Sequence, residues 1–338
     1  MNKVFSSIML LAILLLSIPT FMGVVNVPAS SIKEARKYAE EKLLPLEGVT
    51  GISHAEKPAR IIVYVEHEKY RSKIPIEIKG FKTEVVVTGK IRALAMLEPE
   101  SILMPQYKYD KPVSRTGVVR PISGGISCGV PETAFKGKMA GTLGIVTKNP
   151  YILSCAHVIA MDINAKFLPI GTPVLQPGTY DGGTLADQVG QLHKYIKITF
   201  NSYRANNYAD AAIATLSLDQ TGYLEMQLLG PDNQSTYGID GTTDVNVGDY
   251  VRKSGRTTGV TESTVTNTKA TVKVWYTISK WAIFKDQILV SQPFVQSGDS
   301  GSLVDKDGAF VGLAFAGSET VAVVCKAKYI ISGLGISV

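Results

Sequence analysis

The strongest constraint on the fold of this chain is the regular alternation of short β-type runs with glycine-containing turns after Gly117. The runs include GTLGIVT, YILSCAHVIA, DAAIATLSL, DQILVS and GSLVDKDGAFVGLAFAG, and no long amphipathic helical pattern interrupts them. Short strand segments separated by turns are typical of antiparallel sheets that close into barrels. We therefore predict that residues 117–338 form one β-barrel or a pair of barrels.

The preceding segment predicts a small α+β domain over residues 30–94. In SSIKEARKYAEEKLLPLEG, Ser31 and Glu34 have the spacing of a capping box, and apolar residues recur on one helical face. ARIIVYVEHE and TEVVVTGKI follow, and both are typical of strands. A proline-containing linker over residues 95–116 is expected to separate this domain from the β-rich one.

The first residues have the pattern of a targeting segment. Lys3 precedes an apolar run over residues 8–16, and the next charged residue is Lys33. Residues 1–29 are therefore either a signal peptide that is removed or a retained anchor through residues 4–27, because about 20 apolar residues span a bilayer. Both interpretations place the rest of the chain outside the cytoplasm, secreted or membrane-anchored.

Composition argues against several classes of partner. The net charge is +6, but Lys and Arg are spread along the chain without a basic block, which favours a solvated surface over a nucleic-acid interface. The three cysteines have no zinc-site spacing, and the four histidines do not cluster near them. We expect no metal and no cofactor. One disulfide is possible, although buried apolar cysteines are the favoured interpretation.

The segment QSGDSGSLV places Ser300 between two glycines in a tight turn. A serine hydroxyl is a weak nucleophile unless a base lies within hydrogen-bond reach and a carboxylate orients that base. His157 ends an apolar run before a polar loop and is the better candidate base, whereas His193 lies in an ordinary alternating strand pattern.

Asp210 is the best candidate for the orienting carboxylate, because it opens the strongly apolar run DAAIATL and so lies at the edge of a core. Asp181 and Asp187 lie in a polar, glycine-rich loop and are weaker candidates. The order His157, Asp210, Ser300 is one of the known orders for a serine triad. It differs from the order in α/β-hydrolases, where the histidine comes last.

The glycines beside Ser300 suit the same chemistry. Attack on a carbonyl creates an oxyanion, and backbone N–H groups must point at it from a turn free of Cβ obstruction. Gly298 and Ser300 are the predicted donors of this oxyanion hole.

Here the chain resembles a known family. LSCAHVIA, DAAIATL and SGDSGSLV resemble the histidine, aspartate and serine motifs of trypsin-like serine peptidases, which have the chymotrypsin fold. RKSGRTTGVT is similar to a segment of the alpha-lytic protease and streptogrisin group. SGGISCG, AGTLGIV, VLQPGTYDGG and LAFAG are similar to landmarks of the narrow-leaf-type subgroup of prokaryotes and plants. The resemblance covers residues 121–335.

The resemblance implies a mainly β fold with two packed six-stranded β-barrels, preceded here by the small α+β domain. His157 and Asp210 would come from the first barrel and Ser300 from the second, with the triad in the cleft between them. The usual disulfides are missing, since Val158, Lys253 and Glu262 stand at or near positions where relatives carry cysteine. Core packing must therefore hold the fold.

Two further assignments follow from the resemblance. The pocket for the substrate residue before the cleaved bond would be lined by Phe294, Ala314, Phe315, Ala316 and Gly317. None of these residues is charged, so we predict a preference for apolar residues, because a buried Lys or Arg would find no partner.

The second assignment concerns Asp299, which would need a cationic partner if buried. In the alpha-lytic group an arginine plays that role by resemblance, and the matching residue here is Arg256. We predict an Arg256–Asp299 ion pair that shapes the site. A proline follows Arg120, which argues against activation by a trypsin-like cut there.

The resulting hypothesis is an extracytoplasmic serine endopeptidase that hydrolyses peptide bonds through a His–Asp–Ser triad and an acyl-enzyme intermediate. The alternative is a catalytically weak or inactive module of the same fold that binds peptides. The expected partner is a protein or peptide substrate. Residues 30–94 either modulate access to the site or serve as a spacer or partner-binding module.

Overall fold

A computed structural model of the protein describes residues 31–94, 96–97 and 113–338. The helices are α1 (Ile32–Leu43), α2 (Glu132–Phe135), α3 (Ala156–Ile159) and α4 (Ala327–Leu334), and 3-10 turns cover Glu68–Lys73, Val113–Thr116, Thr179–Asp181 and Leu185–Asp187. The strands are β1 (Val49–Glu56), β2 (Ala59–Val65), β3 (Glu77–Ile78), β4 (Phe81–Val87), β5 (Arg92–Ala93), β6 (Met96–Leu97), β7 (Ile122–Gly124), β8 (Ile126–Cys128), β9 (Met139–Leu143), β10 (Ile145–Val146), β11 (Tyr151–Ser154), β12 (Pro173–Leu175), β13 (Gln188–Tyr195), β14 (Ala212–Leu216), β15 (Tyr223–Leu229), β16 (Thr236–Gly238), β17 (Tyr250–Gly255), β18 (Gly259–Trp275), β19 (Trp281–Ser291), β20 (Leu303–Lys306), β21 (Ala309–Gly317) and β22 (Val321–Lys326).

The last six strands close into a barrel. Strand β17 pairs with β18 and β20, β18 with β19, β19 with β22, β22 with β21, and β21 with β20, all antiparallel. The pairing thus returns to its first strand, which leaves no open edge around the ring. Buried Val, Ile, Leu and Phe side chains fill its inside.

A second closed ring precedes it. Strand β8 pairs with β9, which continues after Gly144 as β10, and the ring proceeds through β11, β14, β13 and β12. Reciprocal backbone hydrogen bonds between Gly129 and Leu175 join β12 back to the end of β8. This ring also has six strands when β9 and β10 are counted as one. The predicted fold, mainly β with two six-stranded barrels and a small α+β unit, is confirmed.

The α+β unit is joined to the second barrel by strand pairing. Helix α1 begins at the predicted capping box of Ser31 and Glu34 and packs on β1 and β2. Strand β1 pairs antiparallel with the long barrel strand β18, so the barrel sheet continues into β1, β2 and β4. The apolar core of the unit includes Ile283 of barrel strand β19. The unit therefore shares its core with the barrel wall.

The chain then leaves the unit and crosses onto the second barrel. Strand β5 pairs with the end of β18 and antiparallel with β21. Strand β6 pairs antiparallel with β9 of the first barrel. This stretch therefore spans the junction between the two barrels.

The remaining predictions of organisation fall partly outside the described residues. The targeting segment over residues 1–29 and most of the linker over residues 95–116 lie there. Within the described ranges, no helix has the length and apolarity needed to cross a membrane. Cys128, Cys155 and Cys325 are all buried free thiols, which matches the favoured interpretation of the cysteines.

Candidate active site

The three predicted triad residues meet where the barrels face each other. His157 lies in α3, directly after barrel strand β11, and Asp210 lies two residues before β14. Ser300 comes from the other barrel, in the turn between β19 and β20. His157 Nε2 lies 2.7 Å from Ser300 Oγ, and His157 Nδ1 lies 2.7 Å from Asp210 Oδ2. The three side chains are almost completely buried.

This geometry fixes the imidazole tautomer. A carboxylate can only accept hydrogen bonds, so the Nδ1 that faces Asp210 must carry the proton. The Nε2 of the neutral ring is then free to accept the hydroxyl proton of Ser300. The arrangement suits a base that removes a proton from a nucleophile while a carboxylate holds the ring.

Asp210 is held by donors on several sides. Its oxygens accept the backbone N–H of His157 at 3.1 Å and the hydroxyl of Tyr276 at 2.6 Å, besides the imidazole. Complete burial acts to raise the pKa of Asp210, but the electrostatic interaction and hydrogen bonds with His157, together with the bond from Tyr276, outweigh it and hold this pKa below its ordinary value. The carboxylate therefore stays ionised. Burial and the nearby Asp210 raise the pKa of Tyr276 well above its usual range, so its phenol keeps the proton it donates.

The turn around Ser300 depends on its glycines. Gly298 and Gly301 have φ of 93° and 95°, in the left-handed region that suits glycine. A Cβ on Gly298 would collide with Thr257 Oγ1, and one on Gly301 would collide with the carbonyl of Thr142. Thr142 Oγ1 donates to the Gly298 carbonyl at 2.8 Å and so supports the turn from the first barrel.

Asp299 is buried beneath this turn and pairs with groups other than the predicted one. Its carboxylate accepts the backbone N–H groups of Thr257, Thr258 and Gln296 and the hydroxyl of Thr258, at 2.7–3.1 Å. The nearest cation is Lys253, whose Nζ lies 3.7 Å from Asp299 Oδ2.

The predicted Arg256–Asp299 ion pair is wrong. Arg256 instead makes two hydrogen bonds to Asp181 of the first barrel, with Nε 2.8 Å from Oδ2 and Nη2 on Oδ1. The reason is local: the carboxylate of Asp299 already faces the backbone N–H groups that follow Arg256 in the chain. The arginine side chain extends the other way and packs over Gly298, where an added Cβ would lie 2.9 Å from Nη1. Arg256 thus clamps the two barrels together beside the turn.

Lys253 is the charged residue that the sequence-based assignment missed. It is fully buried and donates to Thr258 Oγ1 at 2.5 Å and to the Gly259 carbonyl at 2.8 Å. Burial lowers the pKa of Lys253 to about 8, against the opposing pull of Asp299. In the sequence, Lys253 stands near a position where members of the resembling family carry cysteine. That position did not indicate that the Lys253 side chain points inward to Asp299.

The chain's own residue Leu94 occupies the predicted pocket. Its side chain is 1% exposed and shares one apolar cluster with Phe294 and Ala314. A Cβ on Gly317 would lie 3.5 Å from Leu94 Cδ1, so this glycine forms one wall. No local pattern identifies Leu94 as the occupant of the pocket, because it ends an ordinary strand-like run.

The other two predicted pocket residues contact the same segment through their backbone. The carbonyl of Phe315 accepts the N–H of Leu94 at 3.2 Å, while the Phe315 ring packs against Phe284 on the other side. Ala316 pairs with Ala93 in the antiparallel ladder of β21 and β5.

Two of the triad residues also belong to a cluster of groups that could bind a metal ion. Cys155, His157 and Asp210 offer ligand atoms within 4.8 Å of one another. Both ring nitrogens of His157 already face a partner, and Cys155 Sγ lies 3.6 Å from the carbonyl of Ala314. Burial raises the pKa of the Cys155 thiol well above its ordinary value, which disfavours the thiolate that metals bind. The cluster fits a triad better than a metal site.

Comparison with known proteins gives likeness in structure only. No family model and no curated protein matches the chain. Among solved structures, it is similar to Cellulomonas bogoriensis chymotrypsin, at 16% identity, with 64% of this chain and 97% of that chain covered and a TM-score of 0.43. Thermobifida fusca protease A has 15% identity, 64% and 97% coverage and a TM-score of 0.45. A glutamic acid-specific serine protease has 19% identity, 64% and 100% coverage and a TM-score of 0.44. Likenesses at this level concern the fold and do not define the activity.

Proposed function

We propose that this chain is a serine endopeptidase in which Ser300 is the nucleophile, His157 the general base and acid, and Asp210 the residue that orients the base. The observation that carries the proposal is the pair of 2.7 Å contacts, from Ser300 Oγ to His157 Nε2 and from His157 Nδ1 to Asp210 Oδ2. A buried carboxylate, a correctly polarised imidazole and a hydroxyl in contact are the parts that activate a serine.

The proposed reaction proceeds through an acyl-enzyme. Ser300 Oγ attacks the substrate carbonyl as its proton moves to His157 Nε2, and the oxyanion is stabilised by the N–H groups of Gly298 and Ser300. His157 returns the proton to the leaving amine. Water, activated by the same imidazole, then hydrolyses the ester.

Substrates are expected to bind as an extended strand beside β21, as β5 does. Pairing at Ala316 and Gly317 uses hydrogen bonds to the substrate backbone, so it is compatible with many substrate sequences. The apolar surroundings of Leu94 support a preference for apolar residues before the cleaved bond. The apolar run over residues 8–16 supports a location outside the cytoplasm, either as a secreted protein or anchored through residues 4–27.

Labelling with a fluorophosphonate and hydrolysis of a peptide with leucine before the cleaved bond test this proposal. Both are measured in a Leu94→Asp background, since a carboxylate should not enter the apolar pocket and the site is then open. In that background Ser300→Ala abolishes labelling and lowers kcat on the order of 10⁶-fold, and His157→Ala does about the same. Asp210→Ala lowers kcat on the order of 10⁴-fold. These losses do not add, because the three residues act as one unit.

Ser297→Ala is the matched control, since this half-buried serine lies three residues before the nucleophile. It should keep full labelling and turnover. Labelling that survives Ser300→Ala would mean that another residue is the nucleophile. A folded Leu94→Asp protein that neither labels nor hydrolyses peptide would instead favour the non-catalytic peptide-binding module.

A further inference from the structure

A basic cavity of about 480 Å³ lies between helix α1 and the second barrel, and none of the triad residues lines it. Its volume is in the range of small-molecule sites. Helix α1 forms one wall, and residues of β18, β19 and α4 form the other. The cationic residues that line it are Lys33, Arg36, Lys37, Lys269 and Lys285.

The two carboxylates of the cavity wall are already engaged. Glu40 accepts a hydrogen bond from Arg36 Nε at 2.8 Å. Asp286 pairs with Lys326 and Lys328, at 2.6 Å and 3.2 Å, and neither of these lysines lines the cavity. The acidic groups therefore leave most of the positive charge of the wall uncompensated.

Three of the lysines have no counter-ion. The ion pairs formed within the described residues do not involve Lys33, Lys37 or Lys285. Lys269 has one partner, Glu56, at 3.4 Å, and both of these side chains are more than half exposed. A concave site lined by charge of one sign focuses the electric field and raises the local concentration of the opposite ion. The cavity should therefore attract anions.

His54 adds a buried hydrogen-bond donor to this wall. Its side chain is 3% exposed, and Arg36 Nη1 lies 3.5 Å from its Nδ1. A guanidinium can only donate, so Nδ1 accepts and the proton of the neutral ring is on Nε2. Nε2 lies 3.9 Å from Glu56 Oε1, too far for a hydrogen bond. In the described part of the chain, this N–H therefore has no acceptor.

The charges around His54 keep its ring neutral. Burial, Arg36, Lys269 and Lys33 lower the pKa of His54, against the opposing effect of Glu56. At neutral pH the imidazole thus offers a hydrogen bond without adding charge.

Arg36 is held in place in the absence of a ligand. Its Nε donates to Glu40, and its Nη2 donates to Thr271 Oγ1 at 2.9 Å. A guanidinium has five N–H donors, so those not engaged by Glu40, Thr271 and His54 remain for a ligand. An arginine fixed in this way is suited to phosphate, whose oxygens accept paired hydrogen bonds from its planar edge.

We propose that this cavity binds a small anion that carries two or more phosphate groups. A phosphate group carries about −1.5 to −2 charges at pH 7, so two groups match the charge of the three uncompensated lysines. The cavity is much larger than the roughly 30 Å³ that one water occupies in the liquid, which leaves room for more than one such group. The inference is independent of the proposed peptidase activity.

Such a ligand would join two parts of the molecule. Lys33 and Lys37 belong to α1, whereas Lys285 belongs to barrel strand β19. Without an anion these like charges repel one another across the cavity. A bound polyphosphate would replace this repulsion by attraction, hold α1 against the barrel and raise the stability of the folded state.

Calorimetric titration of the full-length Ser300→Ala protein tests the proposal, with orthophosphate, pyrophosphate and tripolyphosphate as separate probes. The titrations are made in about 0.15 M salt, which screens exposed charges beyond about 8 Å. Tripolyphosphate and pyrophosphate are expected to bind, with orthophosphate on the order of tenfold weaker or more, because one phosphate group cannot reach both walls.

Lys37→Gln and Lys285→Gln should each lower the affinity for tripolyphosphate about fivefold, the upper range for one exposed charge pair. Lys42→Gln is the matched control, since Lys42 is an exposed lysine of the same helix that does not line the cavity. It makes the same change in net charge and should keep the affinity. An equal loss in Lys42→Gln would overturn the site, because binding would then follow net charge alone.

Nuclear magnetic resonance of the histidine rings locates the ligand. The ring signals of His54 should shift and saturate with the calorimetric affinity, while those of His67 and His193, which do not line the cavity, stay unchanged. The melting temperature should rise with tripolyphosphate, and rise less in Lys285→Gln. Absence of binding by all three probes at millimolar concentration, or tripolyphosphate binding that leaves the His54 signals unmoved, would overturn the proposal.

Discussion

At the scale of single residues, Tyr276 distinguishes this site from a minimal triad. Its hydroxyl donates to Asp210 Oδ2, the same oxygen that faces the imidazole of His157. The ring also packs edge-on against His157, with centroids 5.8 Å apart. Tyr276 therefore acts through Asp210 as a positioning residue, by limiting the directions in which the carboxylate can rotate.

Tyr276→Phe is expected to lower kcat about tenfold with KM unchanged, since one hydrogen bond to a charged group contributes about 1.5–3 kcal/mol and Asp210 keeps its other donors. The rate of fluorophosphonate labelling should fall in parallel. Steady-state kinetics in the Leu94→Asp background measure this, with Tyr208→Phe, an exposed tyrosine, as the control. An unchanged kcat, or a loss confined to KM, would remove Tyr276 from the site.

At the scale of elements, the turn over residues 296–302 is held from below by strand β17. Lys253 of β17 faces the buried carboxylate of Asp299, and the hydroxyl of Thr258 contacts both residues. Gly298, the proposed oxyanion donor, is therefore supported by an internal cation. This pair performs the role that the sequence-based hypothesis gave to Arg256.

The lowered pKa of Lys253, about 8, predicts opposite effects of alkaline pH on activity and stability. Above pH 8 the folded protein loses the Lys253 charge, so Asp299 loses its cation and kcat/KM should fall. Between about pH 8 and the unfolded value of 10.5, the unfolded chain binds more protons, so the contribution of Lys253 to the free energy of unfolding rises with pH. The cost of burying this charge is thus greatest below pH 8.

Lys253→Met tests this prediction, because methionine cannot titrate. The free energy of unfolding of the wild type, minus that of Lys253→Met, should rise on the order of 3 kcal/mol from pH 7.5 to pH 10. The alkaline fall in kcat/KM should be absent from the variant. Stability is measured by denaturant titration in the Ser300→Ala background, with exposed Lys148→Met as the control. A flat difference across this pH range contradicts the prediction.

At the scale of the whole molecule, the N-terminal unit and the second barrel share one sheet and one core. Ile283 lies on barrel strand β19 but is fully buried in the cluster formed by α1, β1 and β2. Arg36 and Glu40 of α1 both contact Thr271 of β18. The two parts should therefore unfold together while the chain is intact.

Ile283→Ala is expected to cost about 2–5 kcal/mol and to keep a single unfolding transition, because the cavity lies in the shared core. Tryptophan fluorescence and far-ultraviolet circular dichroism, followed in urea in the Ser300→Ala background, should give coincident curves. Ile278→Ala, at a position that is 95% exposed, should have no measurable effect. An early transition in fluorescence alone would mean that the unit folds independently of the barrel.

The sequence alone was enough for features that depend on neighbouring residues. The alternation of apolar runs and turns predicts a β-barrel or a pair of barrels, the family resemblance implies two, and the capping box predicts where α1 begins. The local settings of Ser300, His157 and Asp210 predict that they should meet, since each occupies the context that its role requires. The structure brings these three side chains into contact.

Only the tertiary structure decided which distant groups share the buried volume around that triad. Leu94 and Ser300 are 206 residues apart, and no local pattern indicates that this leucine fills the pocket. Arg256 and Lys253 are neighbours in sequence, but the direction of each side chain is set by packing: Arg256 reaches Asp181 across the barrel interface, and Lys253 points inward to Asp299. A buried charge takes the partner that the folded backbone places beside it, because desolvation makes every other position too costly.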